Sequence, residues 1–160
     1  VHQKGGKRRV MKKVKDFMVE EIPTLTEQTS IRTILELFSN SGHNILPVVN
    51  GERKLVGLIS LGDLLDDLLF SREEVSILEK VSFLADFLTD VVENIEHISP
   101  LVLARDIMQT TVYSIREEDS MLKAAVMMKK KNIHRLIVVN KDNVPVGYVS
   151  RNEICRAFMI

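Results

Sequence analysis

The chain has no tryptophan, two tyrosines, one cysteine and only 5% aromatic residues over its 160 positions. Surfaces that grip single-stranded nucleic acid stack bases on aromatic rings, and so thin a supply argues against one. The lone Cys155 excludes an intramolecular disulfide and any thiolate metal cluster, and fits a reducing compartment. No apolar run approaches the ~18–20 residues of a bilayer-spanning helix, so no membrane segment is expected. The basic start, Lys4 to Arg9, has no apolar signal core behind it. Neither sign of charge dominates, since 22 Lys and Arg face 22 Asp and Glu. What is present, 45% hydrophobic and 28% charged residues, is the composition of one globular domain or two small packed ones.

The charge balance conceals a gradient. Lys4, Lys7, Arg8, Arg9, Lys12, Lys13 and Lys15 precede the first acid, Asp16, and the rest of the chain carries 15 cations against 22 acids. Such a run predicts a solvated basic extension over 1–15. Contact with nucleic acid or an anionic surface is its functional reading, and the disfavoured one.

An internal repeat organises the remainder. Shifted by 90 positions, 16–64 aligns with 106–154 without a gap, and 11 of the 49 pairs are identical, Ser30/Ser120, Asn50/Asn140, Gly57/Gly147 and Ser60/Ser150 among them. Ordinary usage at ~6–7% per position gives about three. Each copy has one internal order. A short strand (Ile22–Thr26; Val112–Arg116) precedes a helix capped near Ser30 or Ser120, with apolar residues at helical spacing and Gly42 or Asn132 placed to end it. Two Val-rich strands follow (Ile45–Val49 and Leu55–Ser60; Leu136–Val139 and Val144–Ser150) around polar turns, and a second helix starts after Ser60 and Ser150. Between the copies, Ser71-Arg72-Glu73-Glu74 has the form of a capping box. Behind it Leu78, Val81, Ala85, Leu88, Val92 and Ile95 make a coiled-coil-like stripe that Ser99-Pro100 ends.

The order strand, helix, ILPVV or RLIVV, hairpin, then GLISLGD or GYVSRNE, opened by Asp16-Phe17-Met18 and Asp106-Ile107-Met108, resembles the cystathionine β-synthase (CBS) domain, and two copies resemble the tandem pair. The resemblance implies a mixed α/β fold of α+β character: two β-α-β-β-α repeats in a pseudo-twofold pair. The expected divisions are a basic extension (1–15), repeat 1 (16–64), a helical connector (65–105) and repeat 2 (106–160).

In that family adenosine nucleotides bind in clefts between the copies. The residues this implies here are Thr24, Asn44, Ile45, Pro47, Ser60, Asp63, Ser114, His134, Arg135, Ser150, Arg151 and Glu153. The chemistry is suitable. An ionised Asp63 accepts both hydroxyls of a ribose diol. Ser60 stands at a helix N-terminus, where the backbone dipole favours phosphate. Ile45, Leu46 and Pro47 supply an apolar strand for adenine. Glu153 replaces the usual Asp and is one methylene longer, whereas the second copy alone has His134, Arg135 and Arg151. Guanidinium donates bidentately to phosphate, so ribose is expected on Asp63 and phosphates on the second copy's cations. Each residue also has a plain structural reading. Asp63 is a first-turn acid, Ser60 its cap, His134-Arg135 a surface pair, His43 a turn residue, Cys155 a half-buried small apolar residue, and Met108, Met127 and Met128 core packing.

No metalloprotease, CxxC, GxSxG or phosphate-loop motif is present, and the four histidines lack ligand spacing, so an enzyme is not expected. The expectation is a cytoplasmic, homodimeric regulatory module that takes an adenosine nucleotide as ligand, needs no other cofactor or metal, and signals to an unidentified downstream protein. The alternative is a ligand-independent scaffold that uses the 73–98 helix as its partner surface.

Overall fold

A computed structural model describes residues 11–64 and 102–159; the expected capping box and the 73–98 helix lie outside the described residues. In chain order the elements are β1 (Val19–Glu20), β2 (Leu25–Thr26), α1 (Ile31–Ser41), β3 (Ile45–Val49), β4 (Leu55–Ser60), α2 (Ala104–Ile107), β5 (Ser114–Arg116), α3 (Met121–Lys131), β6 (Arg135–Val139), β7 (Pro145–Ser150) and α4 (Arg151–Met159). Local chemistry sets the helix ends. Ser30 Oγ accepts from the Thr33 N–H, and Ser120 Oγ from the Lys123 N–H, each satisfying a first-turn donor. At the other ends Gly42 (φ 71°) and Asn132 (φ 51°) take the left-handed conformation that the sequence assigned them. The opening strands are shorter than expected: the ladders begin at Leu25 and Ser114 rather than Ile22 and Val112.

The sheets have the orders β2-β3-β4 and β1-β7-β6-β5. In each hairpin one asparagine builds the turn: Asn50 Oδ1 accepts from the N–H groups of Glu52 and Lys54, and Asn140 Oδ1 from those of Asp142 and Val144. The central strands β3 and β6 use both faces. Leu46 and Val48 pack with Ile34 and Phe38 of α1; Leu136 and Val138 pack with Met121, Ala124 and Met128 of α3. On the opposite faces Ile45, Ile137 and Val139 form a third cluster that joins the two copies. At about 1.5–3 kcal/mol for each fully buried aliphatic side chain, three such residues supply several kcal/mol of cohesion between the repeats. Met128 and Met108 serve the packing, as expected. Cys155 does not: it is exposed on α4, because its turn of the helix faces away from the Ala157 side that meets the core.

The copies exchange their opening segments. β1, ahead of the first copy, pairs antiparallel with β7 of the second (Val19↔Tyr148, Glu20↔Gly147). Reciprocally, residues 102–109 pack on the first copy: the Ala104 N–H donates to Thr29 O, and Leu58 and Gln109 exchange both backbone bonds at 3.0 and 2.8 Å. The repeated Gly57 and Gly147 lie at the two crossings. A side chain on Gly57 would meet Met108, and one on Gly147 would meet the Val19 carbonyl.

The exchange corrects the expectation of a solvated extension over 12–15. Val14 is fully buried in the second copy's core, and the Lys12 ammonium donates to Ala157 O at the C-terminal end of α4. Lys13 and Lys15 hold Glu118 at 2.7 and 2.8 Å. Hydrogen bonds from these two ammonium groups bring the Glu118 carboxyl from 4.5 down to about 2. A carboxylate depressed in the folded state contributes stability that is complete above its unfolded pKa and fades as pH falls towards the folded one. The stability difference between wild type and Glu118→Gln is therefore expected to be level above about pH 5 and to shrink between 4.5 and 2. Urea melts at stepped pH check this, and a pH-independent difference would show that the Lys13 and Lys15 pairs with Glu118 do not help to hold the arm.

Candidate functional site

The two halves of the expected site lie at equivalent places in the two sheets. In the first copy Ile45 pairs with Ser60 across β3 and β4, and the Asn44 carbonyl accepts from the Leu61 N–H at 2.9 Å, which ties the start of β3 to the helix beginning at 61. Thr24 directly precedes β2, whose ladder with β3 begins only at Leu25↔Val48. The β2 ladder therefore stops short of Ile45, Leu46 and Pro47. Ile45 and Pro47 are themselves buried, Ile45 against Ile137 and Val139, so the apolar side-chain slot expected for a purine is filled by inter-copy packing. What this strand offers a ring is its backbone.

In the second copy Arg135 pairs with Ser150, and Ser114 with Ile137. Ser114, Arg135 and Ser150 are half-buried; His134, at the mouth of β6, and Arg151, in the first turn of α4, are exposed. Period-two alternation puts Arg135 on the same face as Ile137 and Val139, the face turned to the first copy. Tyr148 belongs to that cluster and meets His43 of the first copy edge to face, with its hydroxyl 3.3 Å from Nδ1. Burial and then the Glu153 carboxylate hold the Tyr148 phenol above its ordinary range, against the opposing effect of Arg135. His43, which the sequence offers as a turn residue, thus closes an inter-copy contact. Nothing in its local pattern signals this, because its partner is 105 residues away.

The acids at the two helix starts behave differently. Ser60 Oγ accepts from the Asp63 N–H at 3.1 Å, so Ser60 caps the helix, and the Asp63 carboxylate stays exposed with the Gln109 side-chain amide donating to Oδ2. Glu153 is 7% exposed and turns back on its own cap: Oε2 accepts from the Ser150 N–H at 2.7 Å and from Ser150 Oγ at 2.5 Å. This arrangement satisfies two donors at once and leaves that oxygen little capacity for a sugar. Chain exchange supplies the reason. The residue equivalent to Gln109 in the other opening segment is Val19, which has nothing to donate, and the extra methylene of Glu lets the carboxylate fold back. Gln109 was not found from sequence, since it becomes a neighbour of Asp63 only through the exchange.

A groove of about 500 Å³ lined by Arg116, Glu117, Glu118, Asp119, Asn140 and Lys141 lies at the other end of β6 from Arg135, away from these residues. Lys13, Lys15 and Lys123 already engage its acids. Among the described residues there is no cluster of three metal-ligating side chains and no helix long and apolar enough to cross a membrane.

Comparison with known proteins agrees with this architecture. The chain is 27% identical over 144 residues to protein MJ1232 of Methanocaldococcus jannaschii, covering 90% of this chain and 38% of that one, so it spans well under half of that relative. CBSX2 of Arabidopsis thaliana, solved with AMP, superposes with a TM-score of 0.64 at 23% identity, over 92% of this chain and 96% of that one. The CBS domain pair of protein MJ0100, solved with methylthioadenosine and S-adenosyl-L-methionine, gives 0.64 at 23% identity, over 94% and 98%. At such identities the superpositions speak to the fold. The CBS domain family model matches residues 14–69 and again 104–160, which together with the paired β-α-β-β-α architecture shows that the chain belongs to the CBS domain family, as a tandem pair.

Proposed function

We propose that this CBS pair is a regulatory module that binds an adenosine nucleotide with its ribose on Asp63, its base against the β3 backbone near Thr24, Asn44 and Pro47, and its phosphates on His134, Arg135 and Arg151. The observation that carries the reading is the asymmetry of the acids. Asp63 is exposed at a Ser60-capped helix start, whereas Glu153 is buried in its own cap and is left out of the ligand set. CBSX2 with AMP and the MJ0100 pair with two adenosine compounds support the ligand class. A homodimer in the cytoplasm acting on a downstream protein completes the proposal. Leu122 and Val126 on α3 and Phe158 on α4 are exposed apolar residues in keeping with a subunit contact. Ligand binding alters the module only through a difference in affinity between its conformations.

Calorimetric titration with AMP, ADP, ATP and S-adenosyl-L-methionine tests this. Loss of hydrogen bonds to a charged partner corresponds to about 10- to 100-fold in affinity, so Asp63→Ala is expected to weaken the best ligand by that factor and Glu153→Gln by less than threefold. Equal losses in the two variants, or no binding by wild type, would overturn the proposal; the latter would leave the dimerisation scaffold as the reading.

A further inference from the structure

The Asp63 carboxylate already has a partner, and that partner arrives from the other repeat. Gln109 lies where the chain passes from one copy to the other. Residues 102–109 pack on the first copy through the Ala104 and Arg105 N–H groups, which donate to Thr29 O and Glu27 O, and through the paired Leu58–Gln109 backbone bonds, and from Val112 onward the chain joins the inter-copy cluster and then β5. Two backbone bonds clamp Gln109 to Leu58, two residues before Ser60, and its side-chain amide reaches Asp63 Oδ2. Both side chains are exposed, so an incoming hydroxyl reaches the carboxylate without disturbing the core, and water solvates whichever group it releases.

We propose that Gln109 is a specificity-determining latch: it competes with a ligand's vicinal diol for Asp63, and a diol that takes both carboxylate oxygens releases the side chain that ties the second copy's opening segment to the first copy's helix start. The inference rests on the ligand reading for its consequence but not for the latch itself. The competition is confined to one cleft, because the residue equivalent to Gln109 in the other opening segment is Val19, paired with Tyr148, whose side chain cannot donate. The ligand feature sensed is the diol and not the phosphates, since the two adjacent hydroxyls of a nucleotide's ribose donate to both oxygens of one carboxylate whereas ionised phosphates only accept.

The test compares wild type, Gln109→Leu and Asp63→Asn with AMP and 2′-deoxy-AMP as probes, alongside a double-mutant cycle on unfolding without ligand. One surface hydrogen bond to a charged group corresponds to about three- to tenfold in an equilibrium constant. Gln109→Leu is therefore expected to tighten AMP by that factor and to leave 2′-deoxy-AMP, which lacks the diol, unchanged. In the ligand-free cycle the Gln109→Leu and Asp63→Asn effects on the unfolding constant are expected to couple by a factor of about two or more. A zero coupling overturns the latch whether or not any nucleotide binds. Weaker AMP binding by Gln109→Leu, or equal changes for both probes, overturns the competition and makes Gln109 a support of the site. Coupling without AMP binding by wild type leaves the latch standing and overturns the ligand reading instead.

Discussion

Gly147→Ala is expected to destabilise the protein by about 2–3 kcal/mol, seen as a lower urea midpoint at unchanged slope, whereas Gly57→Ala is expected to cost about 1 kcal/mol or less. In sequence the two glycines are the same member of the repeat. Their surroundings differ because each meets the opening segment of the other copy. A Cβ on Gly147 collides with the Val19 carbonyl oxygen, and that backbone is fixed by its pairing with β7, so β1 must lift from the sheet. A Cβ on Gly57 meets Met108 Sδ at 2.5 Å and Cγ at 3.1 Å, part of a flexible thioether chain that can rotate away, with the Gln109 carbonyl at 3.2 Å the stiffer neighbour. Amide exchange at 19–20 is expected to rise in Gly147→Ala beyond what global unfolding accounts for. Equal costs at the two positions would show that β1 is not seated against Gly147 in solution.

Glu153→Ala is expected to cost about 2 kcal/mol, while Asp63→Ala costs less than about 0.5 kcal/mol. Truncating Glu153 strands the Ser150 N–H and hydroxyl at the start of α4 and opens space in a buried site. Truncating Asp63 leaves the Ser60 cap intact, because the capped group is the backbone N–H of residue 63, and removes an exposed carboxylate with its one solvent-accessible hydrogen bond from the Gln109 amide. Denaturant melts of both variants, read with the nucleotide titrations, give a crossed pattern: the acid that matters for folding is expected not to matter for ligand, and the reverse. Equal destabilisation would mean that the two helix starts are built alike and that the proposed division of labour has no structural basis.

Much of the fold was legible in the linear pattern because its determinants are local. Ser30 and Ser120 cap helices, Gly42 and Asn132 end them, and Asn50 and Asn140 build turns through groups two to four residues away, so spacing alone identifies them. The register of β3 on β4 likewise follows from two adjacent apolar runs joined by a short polar turn. The site was legible in part. Ser60 and Asp63 stand out because a repeat and a family resemblance meet on them, but whether an acid points outward or folds back on its cap depends on neighbours far along the chain.

Determined by the sequence alone were the duplication, the β-α-β-β-α order of each copy, most element boundaries and the chemical difference between Asp63 and Glu153. Only the tertiary structure decided that 12–20 and 102–109 trade places, that Val14 is core and not extension, and that Gln109 and not Val19 faces an acid. The physical reason is that hydrogen-bonding and helix propensity act over a few residues and leave their mark in spacing. The choice of which sheet receives an unpaired strand is settled by packing between surfaces far apart along the chain, Leu58 with Gln109 and Val19 with Tyr148, where both copies present nearly the same edge.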